Sequence, residues 1–183
     1  MNKQKNIENI YPLSPMQQGI LFHSLLAPDA GAYVPQVCIT VDGLTDVIAF
    51  QKAWSEVFRR HSILRTAFRW EKRDQPFQVV YQVLDLPWQQ QDWREFSPSE
   101  QQQKLEDFLE EDRKQGFDLK IAPLFRINLI QLTETCYQLV WTQHHLIIDG
   151  WSAGLVLKEV FQLYQVFHKD TDLNNLSTYN KRP

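Results

Sequence analysis

Apolar and polar positions alternate in two different rhythms along this chain. From Val47 to His61 the apolar residues Phe50, Ala53, Trp54, Val57 and Phe58 recur at helical spacing, His61 extends the stripe, and Asp46 stands where an N-cap belongs. A second helical stripe, Val156, Leu157, Val160, Phe161, Tyr164 and Phe167, predicts a helix over Trp151–His168. Two further helices are predicted by their start signals. Ser14, Pro15 and Gln17 form an S-P-x-Q opening to a helix over Pro15–Leu26, and Ser97 with Glu100 opens another that Gly116 ends. The Gln- and Glu-rich stretch of the latter reads as a solvated face. Gly19 inside the first costs about 1 kcal/mol against alanine.

Between these segments the rhythm changes to period two. Val37, Ile39 and Val41 share one face of a strand within Tyr33–Gly43. "ILRTAFRW" and "PFQVVYQVL" read as two more strands, and "APLFRINLIQL" with "CYQLVWTQHH" as a hairpin closed by "TET". Residues 1–10 are polar and read as loose, and 169–183 as a polar linker. Helices interspersed with hairpin-like strand pairs predict an α+β fold, an α/β sandwich with helices packed on one face of a mixed or antiparallel sheet.

The 183 residues suffice for one domain with a sizeable core. A net charge of -3 offers no footprint for nucleic acid or an anionic membrane. No apolar run approaches the ~20 residues that span a bilayer, and the N-terminus lacks a signal-peptide core, so a cytoplasmic protein is expected. Cys38 and Cys136 lie in apolar runs and are expected to be buried thiols. The histidines are too scattered to predict a metal site.

The chemistry concentrates in "QHHLIIDGWS", Gln143–Ser152. Strand alternation sends neighbouring side chains to opposite faces. His145 therefore falls with Tyr137, Leu139 and Trp141, and His144 with Val140 and Thr142. Asp149 and Gly150 then turn the chain into a helix, whose N-terminal N–H groups attract negative charge. An imidazole there can take or give a proton near neutral pH.

Three stretches, in order, resemble the condensation domains of nonribosomal peptide synthetases: "LSPMQQGILFH" (Leu13–His23), "RHSILRTAF" (Arg60–Phe68), and "HHLIIDG" in the HHxxxDG pattern (His144–Gly150). The resemblance implies one lobe of a chloramphenicol acetyltransferase-like fold. It also implies a reaction in which the amine of an acceptor aminoacyl thioester attacks a donor peptidyl or acyl thioester. Both substrates ride on phosphopantetheine arms of donor and acceptor carrier domains, and no cofactor or metal is bound directly. Carried over by position, His145 is the catalytic candidate, as general base or as a group that positions the amine. His144 supports it, Asp149 holds the loop through an ion pair with Arg60 or Arg65, and Gly150 leaves room beside the reacting centre.

The resemblance further divides the chain into a lead-in (1–12), an N-terminal lobe (13–168) and a linker cut short (169–183). The later motifs and a C-terminal lobe are missing, so the isolated lobe is expected to be inactive. Met1 close to the first motif resembles an acceptor communication-mediating segment, extending into residues 13–26. There Tyr11, Leu13, Met16 and Gln17 would dock a C-terminal helix of an upstream synthetase. Three rival readings remain: a docking module without chemistry, an epimerisation domain, and a free acetyltransferase acting on coenzyme A.

Overall fold

A computed structural model describes residues 6–27, 31–72 and 75–169. The expected linker at the C-terminal end lies outside them, save Lys169. The elements run β1 (Ile7–Pro12), α1 (Pro15–Leu26), β2 (Gln36–Val41), α2 (Val47–Arg60), a 3-10 turn (Ser62–Arg65), β3 (Thr66–Arg69), β4 (Phe77–Tyr81), β5 (Trp88–Asp92), α3 (Pro98–Gln115), β6 (Phe125–Gln131), β7 (Tyr137–Gln143) and α4 (Gly150–His168). The helix starts follow their capping signals. Ser14 accepts the Gln17 N–H while Gln17 reaches back to the Ser14 N–H, and Glu100 accepts the Ser97 N–H at 2.8 Å.

The strands form two sheets. The larger has the order β2-β7-β6-β5, with β5 parallel to β6 and the other pairs antiparallel. The smaller, β1-β4-β3, is antiparallel throughout. Odd positions of β6 and β7 (Phe125, Ile127, Leu129, Leu139, Trp141) enter the main core, where α2 and α4 pack on them. Trp54 of α2 meets Trp141 edge-on at 5.1 Å, and both are fully buried.

Even positions serve the opposite face. Ile130 and Val140 pack with Trp93 against Leu105, Phe108 and Leu109 of α3. The large sheet is thus covered on both faces, not on one as its helix pattern suggested. Burial on both sides explains why every residue of β7 is buried.

Three further expectations are corrected. Residues 7–10 are not loose: with Tyr11 and Pro12 they form β1, paired to β4 from Ile7↔Tyr81 to Pro12↔Phe77. The polar segment Trp88–Asp92, which showed no strand rhythm, is the parallel edge strand β5. Cys38 is exposed and Cys136 only half-buried. Cys38 sits at an even position of an edge strand, away from the packed face of Val37, Ile39 and Val41.

Candidate functional site

The site lies where β7 runs out. Alternation carries past the strand end: Thr142 and His144 lie on the α3 side. The His144 N–H donates to the Leu124 carbonyl at 3.0 Å and the His145 N–H to that of Tyr33 at 2.9 Å, so the backbone on both flanks holds this corner. A tight turn follows over 145–147, closed by the Ile147 N–H donating to the His144 carbonyl at 3.1 Å.

The two imidazoles have different surroundings. His144 is buried (4% exposed), and its Nδ1 accepts the Leu146 N–H at 3.1 Å. Nδ1 therefore carries no proton, and the neutral ring has its hydrogen on Nε2. Burial, with a smaller contribution from neighbouring His145, pushes the His144 pKa down to about 4. His145 is half-buried, and its Nδ1 lies 3.2 Å from the Ile148 carbonyl. A carbonyl only accepts, so neutral His145 carries its proton on Nδ1 and keeps the Nε2 lone pair. No side-chain or backbone partner engages that Nε2 among the described residues. Of the two rings, His145 is the one whose acceptor nitrogen no described residue engages, whereas that of His144 is taken by the Leu146 N–H.

The depressed His144 pKa sets a pH dependence of stability. Well above pH 6.5 the ring is neutral in both states. As pH falls through 6.5 the unfolded chain binds a proton that folded His144 refuses, so stability declines until about pH 4. The loss across that window is on the order of 3 kcal/mol. Urea unfolding at several pH values is expected to show it, and His144→Asn is expected to flatten the decline. Parallel profiles for the two proteins would contradict it.

Asp149 does not pair with either expected arginine. It is exposed, and its carboxylate caps α4 by accepting the Ser152 N–H at 2.7 Å, which holds its pKa below the usual carboxylate range. Arg65 is buried: its guanidinium donates to the carbonyls of Phe58, Arg59 and Tyr81 and pairs with Glu8 at 2.7 Å. Arg65 thus closes the C-terminal end of α2 and ties β1 to it. Arg60 binds Glu56 at 2.7 Å and Glu159 at 3.0 Å, and His61 binds the other oxygen of Glu159 at 2.6 Å. That cluster crosslinks α2 to α4. A Cβ added at Gly150 would meet nothing within 4 Å, so there is open space beside the turn.

The expected docking residues separate. Tyr11 and Met16 are exposed, at 46% and 74%. Leu13 is buried at 5% and belongs to the core, because it lies at the junction of β1 and α1 where the chain turns inward. Gln17 is half-buried, and its Nε2 donates to the Leu146 carbonyl at 3.2 Å. Gln17 thus joins α1 to the histidine turn, which its place in a capping box did not reveal. Sequence reasoning also passed over Arg126. A charged residue inside the apolar strand "FRINLIQ" was the available signal, since a charge there requires a partner.

A family model described as the condensation domain matches residues 7–180. One protein of the linear gramicidin synthase of Brevibacillus parabrevis is 40% identical over 173 residues, covering 94% of this chain and 2% of its own length. Another protein of the same synthase is 45% identical over 160 residues, 87% of this chain and 3% of its own. Bacitracin synthase 3 of Bacillus licheniformis is 36% identical over 164 residues, with 90% and 3% covered. The chain therefore spans only a few hundredths of the length of these curated relatives. The fold is that of the starter condensation domain of the rhizomide synthetase RzmA, with a TM-score of 0.79 at 21% identity, covering 90% of this chain and 41% of that one. It also matches AB3403, a four-domain nonribosomal peptide synthetase, with a TM-score of 0.75 at 24% identity over 86% of this chain and 12% of the other. With the three motifs in order and the histidine turn at the end of a central strand, the chain belongs to the condensation domain family.

Proposed function

We propose that this chain carries the histidine-bearing part of a peptide-bond-forming acyltransferase. The acceptor amine attacks the carbonyl carbon of the donor thioester, a C–N bond forms and the C–S bond breaks. The amine proton passes by way of His145 Nε2 to the leaving thiolate. The observation that carries this reading is the 3.2 Å contact of His145 Nδ1 with the Ile148 carbonyl, which puts the ring proton on Nδ1 and leaves Nε2 as an acceptor. Substrates would arrive on the phosphopantetheine arms of donor and acceptor carrier domains in the cytoplasm.

The 183 residues alone are expected to be inactive. The matched starter domain is more than twice the matched length. On the α4 side of the turn Trp151 and Leu155 stand exposed, at 82% and 54%. Transfer between a loaded donor carrier and a loaded acceptor carrier tests both statements. The dipeptidyl thioester should accumulate when the chain stands in its synthetase and not with the chain alone. Absence of product from the synthetase would overturn the assignment, and product from the chain alone would overturn its incompleteness.

A docking role is compatible with this reading. Ile10, Tyr11, Met16, Phe22 and Leu26 expose apolar surface along β1 and α1. The C-terminal helix of an upstream synthetase and the acceptor carrier are the partners this surface would take.

A further inference from the structure

Behind the histidine turn lies a polar cluster that the reaction itself does not use. Gln36 of β2, Thr142 of β7 and Arg126 of β6 stand in one cross-strand row, since Thr142 pairs with both of the others. All three side chains converge on Asp112, near the end of α3. Gln36 Nε2 donates to Asp112 Oδ2 at 2.9 Å, Thr142 Oγ1 donates to the same oxygen, and Arg126 Nε donates to Oδ1. Arg126 also binds the backbone carbonyls of Asp112 and Gly116, the latter at 2.8 Å. Asp112 is 6% exposed. The end of α3 is thereby locked onto three strands at once.

The residue just past that lock is Phe117. The Arg126 guanidinium lies 4.5 Å from the centroid of its ring. The same ring meets the imidazole of His144 at right angles, with centroids 6.4 Å apart. His144 is the next even position after Thr142, so the row that holds Asp112 and the ring that Phe117 touches sit on the same side of the sheet. From His144 the coupling reaches the turn through Nδ1, which accepts the Leu146 N–H, and through its carbonyl, which accepts the Ile147 N–H. Ile148, whose carbonyl selects the tautomer of His145, is the next residue.

We propose that Asp112, Arg126 and Phe117 are positioning residues: they hold His144, and His144 holds the turn that fixes the tautomer and direction of His145. None of the three touches the reacting atoms. This rests on the reading of His145 as the proton acceptor of condensation. A packed aromatic ring and a guanidinium held at all three nitrogens suit the task, because both are rigid and neither adapts to small displacements. Displacing a reacting group by about 1 Å can cost on the order of 10²-fold in rate, so a modest loosening is measurable.

The test uses Phe117→Leu, Phe117→Tyr, Arg126→Lys and His145→Ala in the synthetase that contains this chain. Single-turnover transfer between preloaded carriers is measured, and imidazole ¹⁵N signals are recorded on the 183-residue chain. The wild-type chain should show His145 as one tautomer, protonated on Nδ1. Phe117→Leu and Arg126→Lys should mix the two tautomers and lower the turnover rate about 10-fold. Apparent affinity for the acceptor carrier should stay unchanged. Phe117→Tyr keeps the ring and should restore both the rate and the tautomer.

A single wild-type tautomer persisting in both Phe117→Leu and Arg126→Lys would overturn the proposal. So would equal losses in Phe117→Leu and Phe117→Tyr. If Phe117→Leu does not fold, Arg126→Lys decides alone, because it retains the charge opposite Asp112. If His145→Ala condenses at the wild-type rate, the reading of His145 fails, and the tautomer signals still decide the positioning. If His145→Ala is slow while Phe117→Leu is not, the positioning role alone fails.

Discussion

His145→Ala, placed in the synthetase that contains this chain, is expected to slow peptide-bond formation by about 10²–10⁴-fold, the usual contribution of a positioned acid–base group. The fold should tolerate it. His145 is half-buried, and its side chain makes one hydrogen bond, to the Ile148 carbonyl. The loss should therefore appear in the rate of the transfer step, with carrier loading and thermal midpoint near those of the wild type. Asn separates the two roles left open for this ring. Its amide can still contact an amine but cannot take its proton, so His145→Asn should resemble alanine if proton transfer dominates. It should recover much of the rate if positioning does. Rapid-quench measurement of dipeptidyl thioester decides. A rate within about twofold of wild type for His145→Ala would remove the residue from the chemistry, since no acid–base group of ordinary strength is worth so little.

The largest effect on stability is expected at Asp112. Removing this carboxylate by Asp112→Ala strips Arg126 of its counter-ion and leaves Gln36 and Thr142 with unmatched donors. Breaking one partner out of a buried ion pair costs about 3–5 kcal/mol, most of it from the charge left behind. That is a large share of the roughly 5–15 kcal/mol that holds a domain folded. The sign reverses in part when both charges go. Asp112→Leu combined with Arg126→Met should be markedly more stable than Asp112→Ala alone, because no charge then remains buried. It should not return fully to the wild-type value. The carbonyls of Asp112 and Gly116 would lose the donors that Arg126 supplies. Urea denaturation of the three proteins measures this order. A loss below about 1 kcal/mol for Asp112→Ala would mean that water reaches the pair and that it behaves as a surface bridge.

The helices and the central hairpin were readable because their signals are local. The Ser14 and Ser97 capping boxes each satisfy backbone N–H groups within one turn. The α2 stripe from Phe50 to Phe58 is buried as its spacing predicts. Alternation in "YQLVWTQ" divides the side chains between the α2/α4 core and the α3 face, and it separates His144 from His145. The motif turn was readable for the same reason, since its closing bond from the Ile147 N–H to the His144 carbonyl and the Asp149 cap of α4 both lie within Gln143–Ser152.

What escaped the sequence has no local signal. β1 and β5 are polar edge strands, and their side chains carry little rhythm because few of them are buried. Each exists through its backbone ladder to a partner, β4 some 70 residues away for β1 and the parallel β6 for β5. The Asp149 pairing failed on a similar point: motif order places Arg60, Arg65 and Asp149 in one family pattern but says nothing of distance. Arg65 is consumed by three carbonyls and Glu8, Arg60 by Glu56 and Glu159, and Asp149 by the first turn of α4. Gln17 looked like a cap and a docking residue, and its second amide proton turned out to hold Leu146, 129 positions away.

The amino-acid order alone therefore settled which segments are helical, which strands form the hairpin, and which two rings stand at its end, because periodicity and capping act between near neighbours. Only the folded chain decided which of those rings is sealed and which keeps a lone pair that no described residue engages. That choice depends on Tyr33, Phe117, Leu124 and Arg126, brought to the turn from three other parts of the chain by sheet register and by a buried ion pair.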